Sequence, residues 1–401
     1  MKAAVVQRPE VVETCEVELP TLAPGEVLVR VAYCGVCGSD VPRVWMGSAH
    51  SYPIVLGHEF SGTVVQVGEG ADAGLMGQRV AGVPLVPCHD CPDCAAGDYS
   101  LCKHYSFIGS RRPGAFAEYV AVPAANVYPL PDDVSFLNGA FFEPATVALH
   151  ALRLAGLLRW GSSDAVGAER THPSEESQGE FVGQRFISAV GNSSSEMCDS
   201  PNTPAWFAAC AGKTAAVVGS GTIGIFLAQA LQAAGAHVVL LGRREAPLAV
   251  AREAGVVQTA LTSGDDWIAQ VKEAYAPAGF AYVFDATGNA AAMPHSLELA
   301  ANHGRVCMVG TPKTDMVFTP RLWEEINRKE LFLTGSWMSY SAPWPGEEWS
   351  LAAQLFATGD MQVTEAMIDA VYPLSEASEA FARFAPDSPR KPSGKILVDC
   401  A

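Results

Sequence analysis

The feature that most constrains the fold of this 401-residue chain is a short apolar strand followed directly by a glycine-rich turn and an alanine-rich helix. The strand is predicted over 214–218, the turn 219–224 has the pattern G-x-G-x-x-G, and the helix is predicted over 225–234. Glycines at this spacing let a pyrophosphate approach the backbone, and the helix N-terminus stabilises its charge. The pattern therefore predicts a dinucleotide site whose binding residues are Gly219, Gly221, Thr222, Ile223 and Gly224.

The alternation of strand and helix continues after this turn. Apolar strands are predicted near 214–218, 237–241, 282–285 and 305–309, with helical stretches between them, which is typical of an α/β fold with a doubly wound parallel sheet. Such a sheet binds its ligand at the carboxyl ends of its strands. We therefore expect the residues that follow two of these strands to line the adenosine and nicotinamide parts of the site: Thr287, Gly288, Val309 and Gly310.

The sequence before this sheet has a different character. From about 26 to 127 it consists of short valine-rich strands broken by glycine and proline, which predicts an irregular β-rich domain. Residues 394–398 form one more apolar strand, which we expect to rejoin that domain. The predicted domains are 1–152, then 153–338 for nucleotide binding, and 339–401 as a return to the first domain.

One segment fits neither domain. Residues 162–212 are rich in serine, glutamate and glycine and show no sustained periodicity. We interpret them as an insertion with the composition of a solvated, disordered loop. A partner-binding loop and an artefact of sequence assembly are the alternatives.

Composition and charge exclude several classes of protein. With 49% hydrophobic and 17% charged residues, the chain as a whole is not intrinsically disordered. Its 43 acidic residues against 26 Lys and Arg give a net charge of −17, which would repel nucleic acids and anionic membrane surfaces. The sequence shows neither a secretory signal nor an apolar window long enough to cross a bilayer. We expect a soluble cytoplasmic protein with no nucleic-acid or membrane partner.

Four of the eleven cysteines lie close together in the sequence. Cys88, Cys91, Cys94 and Cys102 follow the spacing C-x2-C-x2-C-x7-C within a polar loop, which suits a tetrahedral zinc ion. Four thiolates leave no open position for a substrate, so we predict a structural zinc in a lobe over about 86–104. An iron–sulfur cluster, which uses similar spacings, and a chance grouping of core cysteines are the alternatives.

A second group of candidate metal ligands is mixed in chemistry. Cys37 is followed about twenty residues later by His58 and Glu59, and much later by Glu143. One thiolate, one imidazole and one or two carboxylates suit a catalytic zinc that keeps an open position and acts as a Lewis acid on an alcohol. Ser39 is placed to take the alcohol proton and pass it outward. Singly, these residues have simpler interpretations, such as a surface His–Glu pair or a small buried cysteine; the combination favours the metal.

The residues after the second strand of the predicted sheet bear on the choice of coenzyme. A carboxylate that binds the ribose hydroxyls is usual about 20 residues after the glycine turn, but this chain has Gly242, Arg243 and Arg244 there. Two guanidiniums can hold a 2′-phosphate, so we predict a preference for NADP(H) over NAD(H). The alternative is that both arginines lie on the surface and Glu245 contacts the ribose.

With both metal-ligand patterns ahead of the glycine turn, the chain resembles the zinc-dependent medium-chain dehydrogenases, the superfamily of alcohol, sorbitol and threonine dehydrogenases. The resemblance covers nearly all of the chain except the insertion. Residues 34–43, 107–112 and 335–346 resemble in particular the members that oxidise galactitol 1-phosphate. Those members are associated with NAD and lack the long insertion, and this chain departs from them in both respects.

The resemblance implies a GroES-like catalytic domain built from both chain ends, a Rossmann domain between them, and a homodimer or homotetramer formed through the Rossmann sheets. It implies two zinc ions per subunit, a structural one at the clustered cysteines and a catalytic one at Cys37, His58 and either Glu59 or Glu143. The implied reaction is the reversible oxidation of a secondary hydroxyl of a polyol or polyol phosphate to a ketose with NAD(P). Another small alcohol as substrate, or nucleotide binding without turnover, is the alternative.

A phosphorylated substrate would need cations around its phosphate. We assign this role to Arg111 and Arg112, in a turn after the zinc lobe, with a solvent-exposed pair as the alternative. Trp337 and Tyr340, together with Trp344, follow the last strand of the Rossmann domain. They are candidates for packing on the sugar or the nicotinamide, and the alternative is interdomain core.

Overall fold

The computed structural model describes residues 1–158 and 210–401. The predicted insertion 162–212 therefore lies, up to residue 209, outside the described residues. Within the two described ranges, no helix is both long enough and apolar enough to cross a membrane.

The first part of the chain forms short strands with small helices between them. Its strands are β1 (Lys2–Arg8), β2 (Val11–Glu16), β3 (Glu26–Gly35), β4 (Ile54–Val55), β5 (Glu59–Val67), β6 (Arg79–Gly82), β7 (Leu85–Val86), β8 (Ser106–Phe107), β9 (Tyr119–Pro123) and β10 (Val127–Pro129). Its α-helices are α1 (Asp40–Trp45), α2 (Pro92–Ala95), α3 (Phe136–Gly139) and α4 (Phe142–Leu154). Short 3-10 turns cover Ala73–Leu75, Tyr99–Leu101 and Ala124–Asn126.

The second part alternates strand and helix. Its strands are β11 (Thr214–Val218), β12 (His237–Gly242), β13 (Thr259–Leu261), β14 (Phe280–Asp285), β15 (Ala300–Met308) and β16 (Phe332–Gly335). Its helices are α5 (Thr222–Ala233), α6 (Glu245–Glu253), α7 (Trp267–Tyr275), α8 (His295–Leu299) and α9 (Pro320–Arg328). The remaining elements are α10 (Glu347–Thr358), β17 (Ile368–Pro373), α11 (Ala377–Ala382) and β18 (Lys395–Asp399), with 3-10 turns at Glu365–Met367 and Leu374–Glu376.

The six strands β11 to β16 form one parallel sheet in the order β13-β12-β11-β14-β15-β16. Strands β12 and β13 are thus added on one side of β11 and strands β14 to β16 on the other, and an open α/β sheet places its ligand crevice at this switch between β11 and β14. Helices cover both faces, and the central strands are accordingly apolar along their whole length. The predicted helix 225–234 begins three residues earlier, at Thr222, because Gly221 already lies at its N-cap.

The long strand β3 organises the other large sheet. One edge of β3 pairs with β5, while the other edge pairs first with β9 and then, near its end, with β18. Strands β6 and β10 extend the sheet beyond β5, and β17 extends it beyond β18. The end of β3 therefore lies between the start of β5 and a strand from the far end of the chain.

The segment 339–401 contributes to both parts of the molecule. Strand β18 joins the sheet of the first part, whereas Leu351, Ala352 and Leu355 of α10 pack into the same core as α4 and α5. The domain boundaries at 152 and 338 stay predictions.

Candidate active site

The pairing of β3 with β5 brings three predicted metal ligands together. Gly35, at the end of β3, lies opposite Glu59 at the start of β5, so Cys37 follows directly beside His58 and Glu59. One ligand atom from each of these three side chains lies within 4.8 Å of the other two. Glu143, in the first turn of α4, lies outside this set but close enough for its charge to act on Cys37. The set has three protein ligands, which is the number that leaves an open position on a catalytic zinc.

The chemistry of this set fits a divalent cation. Burial raises the pKa of the Cys37 thiol, and the negative charge of Glu59 raises it further. Burial also raises the pKa of Glu143 to about 7, with Glu59 contributing in the same direction. The buried ammonium of Lys395 lowers the pKa of both groups but does not cancel the increase, so a metal cation among them would stabilise the thiolate and the carboxylates further.

His58 is oriented by a residue that the sequence analysis did not single out. The Asp40 carboxylate is fully buried; its Oδ2 accepts a hydrogen bond from the Cys37 backbone N–H (3.1 Å), and its Oδ1 lies 3.6 Å from Nδ1 of His58. Nδ1 makes no hydrogen bond within the described residues, so the Asp40 carboxylate acts on the ring through its charge. A carboxylate behind an imidazole orients a metal-binding histidine once the two are hydrogen-bonded. The position of Asp40, three residues after Cys37, was the available sequence signal.

Ser39 lies next to the metal set. Its backbone N–H contacts Sγ of Cys37 at 3.4 Å, and its Oγ accepts a hydrogen bond from Nη1 of Arg43 at 3.0 Å. The Ser39 hydroxyl hydrogen remains available to a further partner, because Arg43 occupies only a lone pair. The role of Ser39 as a proton relay stays a prediction.

Lys395 is the second site residue that the sequence analysis missed. It begins β18, is buried, and its ammonium forms an ion pair with Oε2 of Glu59. Burial opposes a charge on Lys395, but the carboxylate of Glu59 and the neighbouring Cys37 leave its pKa raised. A lysine at the start of an otherwise apolar strand was the only sequence signal for this residue.

The four clustered cysteines also converge. Their sulfur atoms all lie within 4.8 Å of one another; Sγ of Cys88 is 3.5 Å from that of Cys102 and 4.0 Å from that of Cys94. None of the four forms a disulfide. The backbone N–H of Cys94 donates a hydrogen bond to the sulfur of Cys91. This bond is the main reason that the pKa of the Cys91 thiol is lowered to about 6. Four convergent sulfurs, one of them predisposed to be a thiolate, fit a tetrahedral metal site with no open position.

The glycine turn between β11 and α5 has the geometry of a phosphate cradle. Gly219 has φ +116°, which disfavours any side chain, and a Cβ at Gly224 would lie 1.8 Å from the carbonyl oxygen of Gly219. A Cβ at Gly221 would meet nothing within 4 Å, so the backbone there is open to the cleft. These glycines therefore permit the turn, the close packing of helix on strand, and the approach of a phosphate.

The glycine turn and the metal set face one cleft of about 670 Å³. Its lining includes most of the predicted coenzyme residues and two of the predicted metal ligands: Gly219, Gly221, Thr222, Ile223, Gly224, Gly242, Arg243, Arg244, Thr287, Cys37 and Glu59. Lys395 also lines it. Gly288, Val309 and Gly310 are not among its lining residues, and their coenzyme role stays a prediction. Gly310 instead packs against Gly288, where a Cβ would lie 2.0 Å from the backbone nitrogen, and Val309 bonds through its backbone to Asp285.

The two arginines after β12 line the cleft, whereas the carboxylate of the next residue does not. Arg243 and Arg244 are exposed and line the cleft, and Nη2 of Arg244 also donates to the carbonyl oxygen of Pro392 (3.0 Å). Glu245 forms an ion pair with Arg252 and is absent from the cleft lining. The geometry thus favours the arginines over Glu245 as neighbours of a ribose.

Two assignments of substrate residues need correction. Arg112 pairs with Glu26 and donates to the carbonyl oxygen of Ala121, so its guanidinium is already engaged. Tyr340 is only 1% exposed and stacks on Trp344 and Trp349, which makes it interdomain core and not a substrate contact. The sequence left both interpretations open for each of these residues, because residue type alone does not show which way a side chain points.

Arg111 and Trp337 remain accessible. Trp337 is 49% exposed, and the Arg111 guanidinium lies over the Tyr105 ring at 4.5 Å from the ring centre. Their substrate roles stay predictions.

Two family models match the sequence. The alcohol dehydrogenase GroES-like domain matches residues 23–132, and the zinc-binding dehydrogenase matches residues 222–358. Galactitol 1-phosphate 5-dehydrogenase of Escherichia coli (strain K12) is 36% identical over 358 residues, which cover 88% of this chain and 88% of that relative.

Comparison with solved structures also finds dehydrogenases. The crystal structure of galactitol-1-phosphate dehydrogenase from Escherichia coli has a TM-score of 0.79 and 33% identity, and the match covers 100% of both chains. A zinc-binding dehydrogenase from Sinorhizobium meliloti 1021, bound to NADP, has a TM-score of 0.76 and 28% identity over 99% of this chain and 98% of that one. These matches confirm the predicted fold class, a Rossmann sheet with a GroES-like domain.

Proposed function

The chain belongs to the zinc-dependent medium-chain dehydrogenases, and from this premise we propose that it reversibly oxidises a secondary hydroxyl of a polyol or polyol phosphate to a ketose, with hydride transfer to NAD(P)⁺. The observation that carries the proposal is the shared cleft. The glycine turn, Cys37 and Glu59 all line it, so a coenzyme and an alcohol near the metal set would meet there.

Each group in the cleft has a distinct task in this reaction. Zinc held by Cys37, His58 and Glu59 would act as a Lewis acid that lowers the pKa of the substrate hydroxyl. Ser39 accepts the hydroxyl proton and passes it toward solvent. It suits this role because its side chain is exposed and its backbone N–H contacts the sulfur of Cys37. Asp40 keeps the His58 ring oriented.

We propose two zinc ions per chain. The second, at Cys88, Cys91, Cys94 and Cys102, has four sulfur ligands and would brace the loop without taking part in the reaction.

The substrate class is proposed from two supports. The relatives with the strongest similarity reported above act, by name, on galactitol 1-phosphate. The second support is the metal set of Cys37, His58 and Glu59 with Ser39 beside it, which offers the ligand and proton-relay groups that an alcohol needs. We therefore propose galactitol 1-phosphate or a sorbitol-like polyol as the substrate.

We propose NADP(H) as the preferred coenzyme. Arg243 and Arg244 line the cleft at the end of β12, and Glu245 is engaged by Arg252. Two guanidiniums at this position would attract a 2′-phosphate. The neighbouring carboxylate of Glu245 does not line the cleft and so would not repel the phosphate.

A substrate panel tests the proposed reaction. Hexitols, pentitols and their phosphates, galactitol 1-phosphate among them, are incubated with the zinc-loaded protein and either coenzyme, and reduced nicotinamide is read by absorbance. We expect turnover of at least one polyol or polyol phosphate, lost in His58→Ala and retained in His237→Ala, a matched control at an exposed position. Turnover restricted to simple alcohols or amino acids would reject the substrate class, and no turnover in any assay would reject the function.

We also propose that the chain forms a homodimer or homotetramer through the edge strand β16. Phe332 and Leu333 of this strand are about half exposed, and so is Trp323 of the adjacent α9. An unpaired edge with apolar side chains is a favourable surface for pairing with a second copy. Light scattering should show a smaller oligomer for Leu333→Lys. Leu261→Lys, on the opposite edge strand β13, is the control; an oligomer unchanged by Leu333→Lys would reject this interface.

A further inference from the structure

Three basic side chains lie on segments next to the metal set. Arg43 lies on α1, His50 in the loop that follows it, and Arg111 in the turn after β8. None of the three was placed in this arrangement by the sequence pattern, and only Arg111 was singled out.

Arg43 is hydrogen-bonded to Ser39, the proposed proton relay, which lies next to the predicted metal ligand Cys37. Its Nη1 donates to both the carbonyl oxygen and Oγ of Ser39, each at 3.0 Å, and Ser39 contacts Sγ of Cys37. The guanidinium is therefore one residue removed from a metal ligand. Its contact with Asp40 is longer, at 3.4 Å.

The turn that carries Arg111 also packs against the metal set. The Phe107 ring contacts the His58 ring edge-on, with centroids 5.4 Å apart. The backbone of Gly109 lies so close to Gly57 that a Cβ would be 2.3 Å from its carbonyl oxygen. Arg111 follows two residues later and is exposed, so its side chain extends from a turn that is fixed against the site.

His50 lies within the electrostatic reach of both guanidiniums. Desolvation lowers the pKa of His50, and the positive charges of Arg111 and Arg43 lower it further. The neutral form of the His50 imidazole is therefore favoured, so the positive charge of this basic cluster, Arg43, His50 and Arg111, resides on the two guanidiniums.

In the parts of the chain that the structure describes, the carboxylate of Asp40 neutralises Arg43 (3.4 Å), whereas Arg111 has no such partner. There, no carboxylate lies within 4.0 Å of the Arg111 guanidinium, whereas neighbouring Arg112 pairs with Glu26. Arg43 is shared between Asp40 and Ser39. A basic cluster left open to solvent in a protein of net charge −17 is an attractive site for an anion.

We propose that Arg43, His50 and Arg111 form the recognition site for the terminal phosphate of a phosphorylated polyol, the other end of which reaches the metal set. This inference rests on the proposed function and makes it more specific. Arg111 supplies a guanidinium that can bind two phosphate oxygens, Arg43 adds charge next to Ser39, and the His50 imidazole adds an N–H donor.

A pair of substrates separates phosphate recognition from general catalysis. Galactitol 1-phosphate and galactitol are compared with the zinc-loaded enzyme and with Arg111→Gln, and the quantity measured is the ratio of their kcat/KM values. We expect the wild-type enzyme to favour the phosphate ester and Arg111→Gln to reduce that ratio at least about tenfold, chiefly through KM, because a hydrogen bond to a charged group is lost. His50→Gln should reduce it less. Arg30→Gln, which removes an exposed arginine on β3, should leave the ratio unchanged.

An equal fall in kcat/KM for both substrates, or no wild-type preference for the ester, would overturn the phosphate site while leaving the dehydrogenase intact.

Inorganic phosphate provides a readout that does not depend on turnover. In an Arg243→Gln/Arg244→Gln background, which removes the other basic pair, phosphate should raise the Tm, and adding Arg111→Gln should abolish most of that shift. If no polyol is oxidised but this shift is seen and lost as described, the proposed function fails and the anion site stands. No dependence of the shift on Arg111 would reject the site.

Discussion

The ammonium of Lys395 forms an ion pair with the carboxylate of Glu59 within the coenzyme cleft. Both side chains are buried, and Glu59 also belongs to the three-residue metal set. The same carboxylate therefore has two possible cationic partners, a lysine from the last strand and a metal ion. Because Lys395 lines the cleft, the ion pair links the metal set to the place where a coenzyme would bind.

This double role predicts that zinc compensates for the loss of Lys395. Lys395→Met leaves Glu59 as a buried carboxylate without its ion pair, a change that typically costs about 3–5 kcal/mol. A bound dication neutralises Glu59 again. We expect Lys395→Met to lower the Tm by several degrees in zinc-free protein and by clearly less in zinc-loaded protein, as measured by differential scanning fluorimetry. Lys395→Arg retains the charge and is the control; a Tm difference that is the same with and without zinc would contradict the prediction.

The two metal sets should lose zinc independently. Elemental analysis should give two zinc ions per chain in the wild-type protein, and one in either Cys94→Ser or His58→Ala, because each change removes a ligand from only one set. Only Cys94→Ser should lower the Tm strongly, since a closed four-sulfur site contributes directly to folding. Cys15→Ser, which lies outside both sets, should retain two ions. One zinc in the wild-type protein would be inconsistent with the second site.

The parts of the site that the sequence predicts well are local in the chain. The four clustered cysteines and the glycine turn each lie within a single loop, so spacing alone places their atoms together. Cys37, His58 and Glu59 lie where β3 ends and β5 begins, two strands that pair in the sheet, and a pattern of residue types was enough to group them.

The parts that the sequence predicts poorly depend on long-range pairing or on side-chain direction. Lys395 reaches Glu59 only because β18 inserts beside β3 at the far end of the chain. Arg111 and Arg112 are adjacent, yet one points to solvent and the other to Glu26, and residue type carries no signal for that difference. Tyr340 lies near a strand end that opens to the cleft, but its aromatic neighbours bury it.

The coenzyme preference should depend on the two arginines after β12. Arg243→Gln/Arg244→Gln is expected to lower kcat/KM for NADP⁺ by about 10- to 100-fold, because charge-assisted hydrogen bonds to a phosphate contribute about 1.5–3 kcal/mol. The value for NAD⁺ should change much less, since NAD⁺ has no 2′-phosphate. Arg30→Gln, which removes an exposed arginine of β3 outside the cleft lining, is the control. A wild-type preference for NAD⁺, or an equal loss with both coenzymes, would reject this assignment.

A buried ionic network joins α4 to α10 and should make the protein sensitive to acid. Glu348 has no exposed surface; its Oε1 contacts Nδ1 of His150 at 2.7 Å and Nη1 of Arg153 at 3.3 Å. Burial alone would raise the pKa of Glu348, but the hydrogen bond and charge of His150, together with Arg153, lower it overall. The ionised form is thus stabilised by folding.

A lowered carboxyl pKa stabilises the folded state above the pKa of the unfolded chain, and that stabilisation is lost as the pH falls toward the folded pKa. The ordinary pKa is 4.5, so the contribution of Glu348 should be complete near pH 7 and should decline below about pH 4.5.

Glu348→Gln should therefore lower the free energy of unfolding by about 3 kcal/mol near neutrality, because it leaves Arg153 without its buried partner. This loss would be seen as a lower Tm. The Tm difference between the wild-type protein and this variant should narrow as the pH is lowered from 7 to 4. Glu376→Gln, at an exposed carboxylate, should show no such difference at any pH, and a difference for Glu348→Gln that stays constant across this range would mean that packing, and not charge, accounts for it.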